Sequence, residues 1–217
     1  MLRENKKMKP MMMNGASPDR VYAFSDGVFA IIITIMVLEL KKPEGVTFHA
    51  LFRLWPTWIS YGASYLFIAI VWVNHHYLLK YASEATPRLI WANFGHLFSV
   101  SLIPFLTDWM AESELAPVPV AMYAFVFFLV NATYLVLVWE TLCNEENPAV
   151  PDRVMRLFNV RSFLTLSAFL AAMILAFWFP LLGFAVVCCC LLLYLRPEIK
   201  VSGTKSSEPR IMKNREM

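Results

Sequence analysis

The sequence predicts an all-α membrane protein with six spanning helices, and three observations carry that reading. Hydrophobic residues make up 59% of the chain and charged ones 16%, far from the balance of soluble domains. Apolar runs recur at 20–40, 55–79, 88–109, 117–141, 159–179 and 181–195. A helix needs about 20 such residues to cross a hydrocarbon core of ~30 Å. Lys and Arg also segregate: with the N-terminus inside, sixteen of the nineteen fall on the inner side, leaving only Lys41, Lys42 and Arg53 outside. That bias marks a multi-pass protein of the cell membrane with both termini cytoplasmic.

Residues 1–19, MLRENKKMKPMMMNGASPD, are polar and basic and lack the apolar core of a signal peptide. They read as a cytoplasmic lead-in to a six-helix domain over 20–195, and 196–217 form a basic cytoplasmic tail. The lipid bilayer is the partner this composition demands. The net charge of +3 is too small to call for nucleic acid.

The first run, RVYAFSDGVFAIIITIMVLEL, carries Arg20, Ser25 and Asp26 in its first third. An aspartate inside a spanning helix costs roughly 2.5–3.5 kcal/mol on insertion scales, so it must face protein or water. At about 100° per residue, Ile31, Ile35 and Leu38 share one stripe with Thr34 at its edge, and Gly27, Phe24 and Arg20 extend it backward. Asp26 points some ~140° away, and Ser25 also lies off the stripe. Two readings of the stripe stand side by side. Ordinary helix packing explains it; so does a set of copies around a common axis, where branched side chains form a constriction that gates by dewetting. In the second case Thr34 is the one side chain on the stripe with an oxygen to offer a partly dehydrated cation.

The second run ends WVNHHYLLK, at the depth where the first begins. This sets His75 or His76 to meet Asp26 or Ser25. Adjacent histidines diverge by ~100° on a helix, so the pair is a poor chelate and a hydrogen-bonded anchor fits better. The third run holds Asn93 at the same depth, then His96, Ser99, Ser101 and Pro104. Asn93 is placed to join the anchor, His96 reads as a satisfied core histidine, and Pro104 predicts a kink that Ser101 relieves. Asp108, Glu112 and Glu114 follow with no Lys or Arg nearby in sequence, either as a solvated loop or as a cation-concentrating mouth.

The fifth and sixth runs are nearly continuous, and Pro180 with Gly183 marks the break between them. Cys188, Cys189 and Cys190 point in different directions and, like Cys143, read as small hydrophobes, with no metal and no cofactor implied. No Walker A loop, GxGxxG, HExxH or GxSxG is present, which speaks against an enzyme, and there is no TVGYG filter.

The R-x3-FSD pattern of Arg20, Phe24, Ser25 and Asp26 opens the first span. With GVFAIIITIMVLEL after it, Trp72, Asn74, His75 and His76 in the second span, and the Asn93 to Phe105 segment, it resembles the prokaryotic branch of the transmembrane protein 175 family, relatives of the lysosomal potassium channel. The likeness covers roughly residues 20 to 110. It implies a homotetramer whose first helix lines a central cation pathway. Ile31 then forms the constriction with Ile35 and Leu38 above it, and Thr34 sets potassium preference. The R-x3-FSD residues and a second-helix histidine support that helix from outside the filter. The expected function is passive conduction of potassium ions, with other monovalent cations passing more weakly. The competing expectation is a proton-coupled transporter in which Asp26 and His75 or His76 carry protons.

Overall fold

The computed structural model describes residues 17–82, 84–142 and 152–194. The lead-in up to residue 16, Cys143 and the basic tail lie outside the described residues. Helices follow one another along the chain: α1 (Asp19–Met36), α2 (Phe48–Arg53), α3 (Trp55–Leu79), α4 (Pro87–Ser101), α5 (Ile103–Glu112), α6 (Pro117–Leu142), α7 (Asp152–Ala176) and α8 (Pro180–Tyr194). A 3-10 turn, Val37–Glu39, continues α1. Four stretches are long and apolar enough to cross a membrane: Asp19–Glu39, Trp55–Leu79, Pro87–Glu112 and Pro117–Leu142. Val160–Ala176 and Pro180–Leu192 add two shorter apolar helices. Together they occupy the six runs of the sequence.

Helix starts follow local chemistry. Thr86 accepts from Leu89 N–H at 3.2 Å and Pro87 supplies the preset φ of the first turn, so α4 begins there. Pro180 opens α8 in the same way. The third span breaks into α4 and α5 at Leu102, as Pro104 requires: it has no N–H for Val100 O, and Leu102 N–H turns to Ser99 O at 3.4 Å. Ser101 Oγ donates to Phe98 O at 2.7 Å, satisfying a carbonyl at the break.

Gly183 departs from expectation. It does not break the chain, since it lies inside the first turns of α8, where its N–H reaches Phe179 O at 3.0 Å. What needs glycine is the crossing with α7: a Cβ there would stand 2.8 Å from Ala172 O and 2.9 Å from the Ala176 Cβ. Small residues on both sides let the two backbones approach closely.

The centre of the bundle is α6. Its Phe127 stacks on Phe67 of α3 with centroids 3.7 Å apart and meets Phe169 of α7 edge-on at 5.8 Å. Ser64 Oγ lies 2.6 Å from Thr107 Oγ1 and 2.8 Å from the Tyr123 hydroxyl, so α3, α5 and α6 share one satisfied polar cluster in the apolar core. Burial falls off sharply toward α1. Of the most apolar 18-residue window in each, 56% is buried in α6 and only 22% in α1. The first helix packs at the edge of the bundle by one stripe, Ser25, Phe29, Ile32 and Met36.

Candidate functional site

The two faces of α1 do different things. Its buried stripe docks on α3, α4 and α5. Its opposite face is bare in the single chain: Ile31 is 59% exposed, Ile35 42% and Leu38 77%. Phe24 and Thr34 are exposed with them, and Phe24 meets Phe94 of α4 edge-on at 5.4 Å. Thr34 Oγ1 donates its proton to Ile31 O at 2.9 Å. The hydroxyl therefore turns only lone pairs outward, which makes it an acceptor and a potential cation ligand.

Below this face two polar relays hold the helix. In the first, Ser25 is buried and donates to Val21 O at 2.8 Å, so its oxygen is left to accept from Asn93 Nδ2 at 3.0 Å. Asn93 Oδ1 then receives His75 Nε2 at 2.7 Å. Each donor finds an acceptor, and this chain of demands fixes the amide orientation and the histidine tautomer. In the second, Trp72 Nε1 donates to Asp26 Oδ1 at 2.8 Å, and the His76 ring stacks on Trp72 at 5.5 Å. Both histidines of the second span thus serve α1: His76 through Trp72, and His75 through Asn93 and by direct ring contact with Phe29, centroids 5.3 Å apart.

This corrects the expected pairing. Asp26 meets Trp72, not a histidine, and Ser25 meets Asn93, not a histidine. The level along the bundle was as expected; the rotation of α3 brings Trp72, one turn before the histidines, to Asp26, while His75 faces Phe29 of the first helix. The i, i+3, i+4 spacing of Trp72, His75 and His76 was the signal for a shared face. Arg20 is exposed and, among the described residues, makes no hydrogen bond or ion pair, so one chain alone does not join it to the relays.

Three further polar contacts went unread in the sequence. Lys41, just past α1, forms an ion pair with Glu112 at the end of α5, so the acidic end of α5 does have a cation beside it. Tyr22 hydroxyl donates to Leu79 O, tying the start of α1 to the end of α3. His96 stacks parallel to His75 at 5.7 Å, and its Nδ1 lies 3.2 Å from Thr133 Oγ1. Thr133 donates to Leu129 O at 2.9 Å, so its oxygen accepts and His96 Nδ1 carries the proton. His96 Nε2 has no hydrogen-bond partner among the described residues, so this histidine is only half satisfied.

A groove of about 490 Å³ runs between α1 and the α4–α5 break. Ile31, Ile35, Pro104 and Phe105 form its walls, and Ser101, Glu39 and Asp108 contribute its polar atoms.

Comparison with known proteins matches residues 20–104 to the family described as "Endosomal/lysosomal potassium channel TMEM175". That segment contains α1, both relays and the break at Pro104. A potassium channel of Chryseobacterium sp. (strain P1-3) is 32% identical over 183 residues, covering 84% of this chain and 94% of that one. The chicken (Gallus gallus) endosomal/lysosomal proton channel TMEM175 is 27% identical over 140 residues, 58% of this chain and 28% of its own length. The crystal structure of a lysosomal potassium-selective channel TMEM175 homolog from Chamaesiphon minutus superimposes with a TM-score of 0.71 at 27% identity, over 82% of this chain and 95% of that chain. The bacterial relative, 32% identical over 84% of this chain, together with the shared helical fold, places this chain in the TMEM175 family, a family of ion channels and not of enzymes.

Proposed function

We propose that the chain is the subunit of a potassium-permeable channel, in which four copies set the bare face of α1 around a central axis in the cell membrane, with both termini cytoplasmic. One observation carries this reading: α1 is anchored by polar relays on one side and leaves Ile31, Thr34, Ile35 and Leu38 uncovered on the other. A helix so arranged is held in register from behind and free to line a pathway in front. The bacterial relative named a potassium channel supports the choice of ion.

In this reading the ring of Ile31 is the constriction, with Ile35 and Leu38 beyond it. Dehydrating an ion at an apolar ring is costly, and the outward lone pairs of Thr34 offset part of that cost. Glu39 and Asp108 at the rim favour cations over anions. The proton-coupled alternative finds no hydrogen bond between its two groups, because Asp26 meets Trp72 and His75 meets Asn93.

Potassium and sodium flux into liposomes holding the purified protein tests the proposal, with proton flux followed in parallel because a vertebrate relative is named a proton channel. Rapid gradient-driven flux, faster for potassium, is the expected result. Flux that appears only under an imposed proton gradient would overturn it.

A further inference from the structure

The segment between α1 and α3 holds a surface that the conduction pathway does not use. Here α2 is a six-residue helix, Phe48–Arg53, opened by Thr47, whose hydroxyl accepts from Ala50 N–H at 3.2 Å. None of its residues is buried. Phe48 and Phe52 are 80% and 74% exposed, and they lie only about 40° apart on the helix. His49 and Arg53 stand about 100–140° round from Phe48, and both are exposed, as is Lys42 just before. A short helix is thus split into an aromatic side and a cationic side, with no part of the described chain covering either.

Its position identifies what covers it. Trp55 and Trp58 follow at the start of α3, Trp109 lies at the end of α5 and Trp178 just past α7. All four are exposed and occupy the same end of the bundle, where α1 finishes. Tryptophans collect at the depth where acyl chains give way to headgroups. The aromatic side of α2 continues this belt, and its cationic side matches the phosphates above it.

We propose that α2 lies in the plane of the bilayer, with Phe48 and Phe52 inserted at the top of the acyl chains and Arg53, His49 and Lys42 turned toward phospholipid headgroups. Six residues are too few to bind a membrane unaided. Here the spans on either side already hold the segment at the surface, so little further entropy is lost. The tryptophans at this level favour lipid over a second copy of the chain as the occupant.

Spin labels test the assignment. In a background with Cys143, Cys188, Cys189 and Cys190 replaced by alanine, and shown monodisperse by gel filtration, Phe48→Cys, His49→Cys, Phe52→Cys and Arg53→Cys are labelled singly and reconstituted in phospholipid vesicles. Labels at 48 and 52 should collide more with oxygen, and labels at 49 and 53 more with a water-soluble nickel chelate. Chelate access at all four positions would mean that α2 stands in water and overturns the proposal. Shielding of 48 and 52 from both reagents would mean that another copy covers them, which overturns it equally. If the cysteine-free background fails to fold, Phe52→Trp in the otherwise unmodified chain answers the question. Quenching by lipids brominated near the top of the acyl chain, beyond that of the unmodified protein, supports insertion; no added quenching refutes it.

Discussion

His75 Nε2 donates to Asn93 Oδ1 at 2.7 Å, with both side chains about 1% exposed. Asn93 passes the interaction on to Ser25, so one amide bridges α1, α3 and α4 inside an apolar bundle. Hydrogen bonds between membrane helices average only ~0.6 kcal/mol, but stranding buried partners costs more, about 1–3 kcal/mol. Asn93→Leu keeps the branched shape of the side chain and strands His75 Nε2, while Ser25 still donates to Val21 O. We expect a loss of about 1–3 kcal/mol, read as a lower midpoint of thermal unfolding in detergent. An unchanged midpoint would remove Asn93 from the anchor.

Asp26 and Trp72 form the second relay, and a double-mutant cycle isolates it. Asp26→Ala and Trp72→Phe should each destabilise, with a coupling of about 1 kcal/mol between them. Asp26→Asn should be milder, because its amide oxygen still accepts from Trp72 Nε1. Assembly should suffer before permeation, so oligomer yield is the first readout. Strictly additive single effects would show that the contact carries no energy.

At the proposed constriction, Ile31→Asn should raise flux several-fold and erode discrimination between potassium and sodium, because a polar ring wets where an apolar one dries. Liposome flux with the two ions checks this, and unchanged rates would count against Ile31 as the narrow point.

Thr34→Val is nearly isosteric and removes the outward acceptor. Potassium preference should fall, while Thr34→Ser should retain it. Equal selectivity in both variants, measured by reversal potential, would remove the hydroxyl from the selectivity mechanism.

Gly183→Ala sets two effects against each other. Alanine favours helix over glycine by about 0.8–1.0 kcal/mol, yet its Cβ would press on Ala172 O at 2.8 Å, a backbone atom with little room to yield. Overpacking of this kind costs about 1–3 kcal/mol, so a net loss is expected. A raised melting temperature would show that α7 and α8 part easily.

Level along the bundle was legible in the sequence; rotation about each helix axis was not. Apolar length located the six runs, and the placing of Asn93, His75 and Asp26 at one level followed from where each run begins or ends. Which of Trp72, His75 or His76 reaches Asp26 depends on how α3 is turned, and the near-uniform apolarity of that helix leaves its turn unmarked. The first helix is the exception. It packs by one stripe only, so its period of 3.6 residues separates Ile31, Ile35 and Leu38 from Ser25 and Asp26 without further help. Lys41 and Glu112 lie too far apart in sequence for their pairing to be read, since it depends on how the ends of α1 and α5 converge. For Gly183 the sequence marked a place where something changes, and the packing shows that the change is in how near two helices come.

An unbroken helix turns as a rod, passing torque along its ladder of hydrogen bonds. At Leu102 that ladder is interrupted, so α5 and α4 are two short rods in series. In that arrangement α4 carries Asn93 to Ser25 near the start of α1 and α5 carries Glu112 to Lys41 beyond its end, so the two pieces brace α1 at both of its ends.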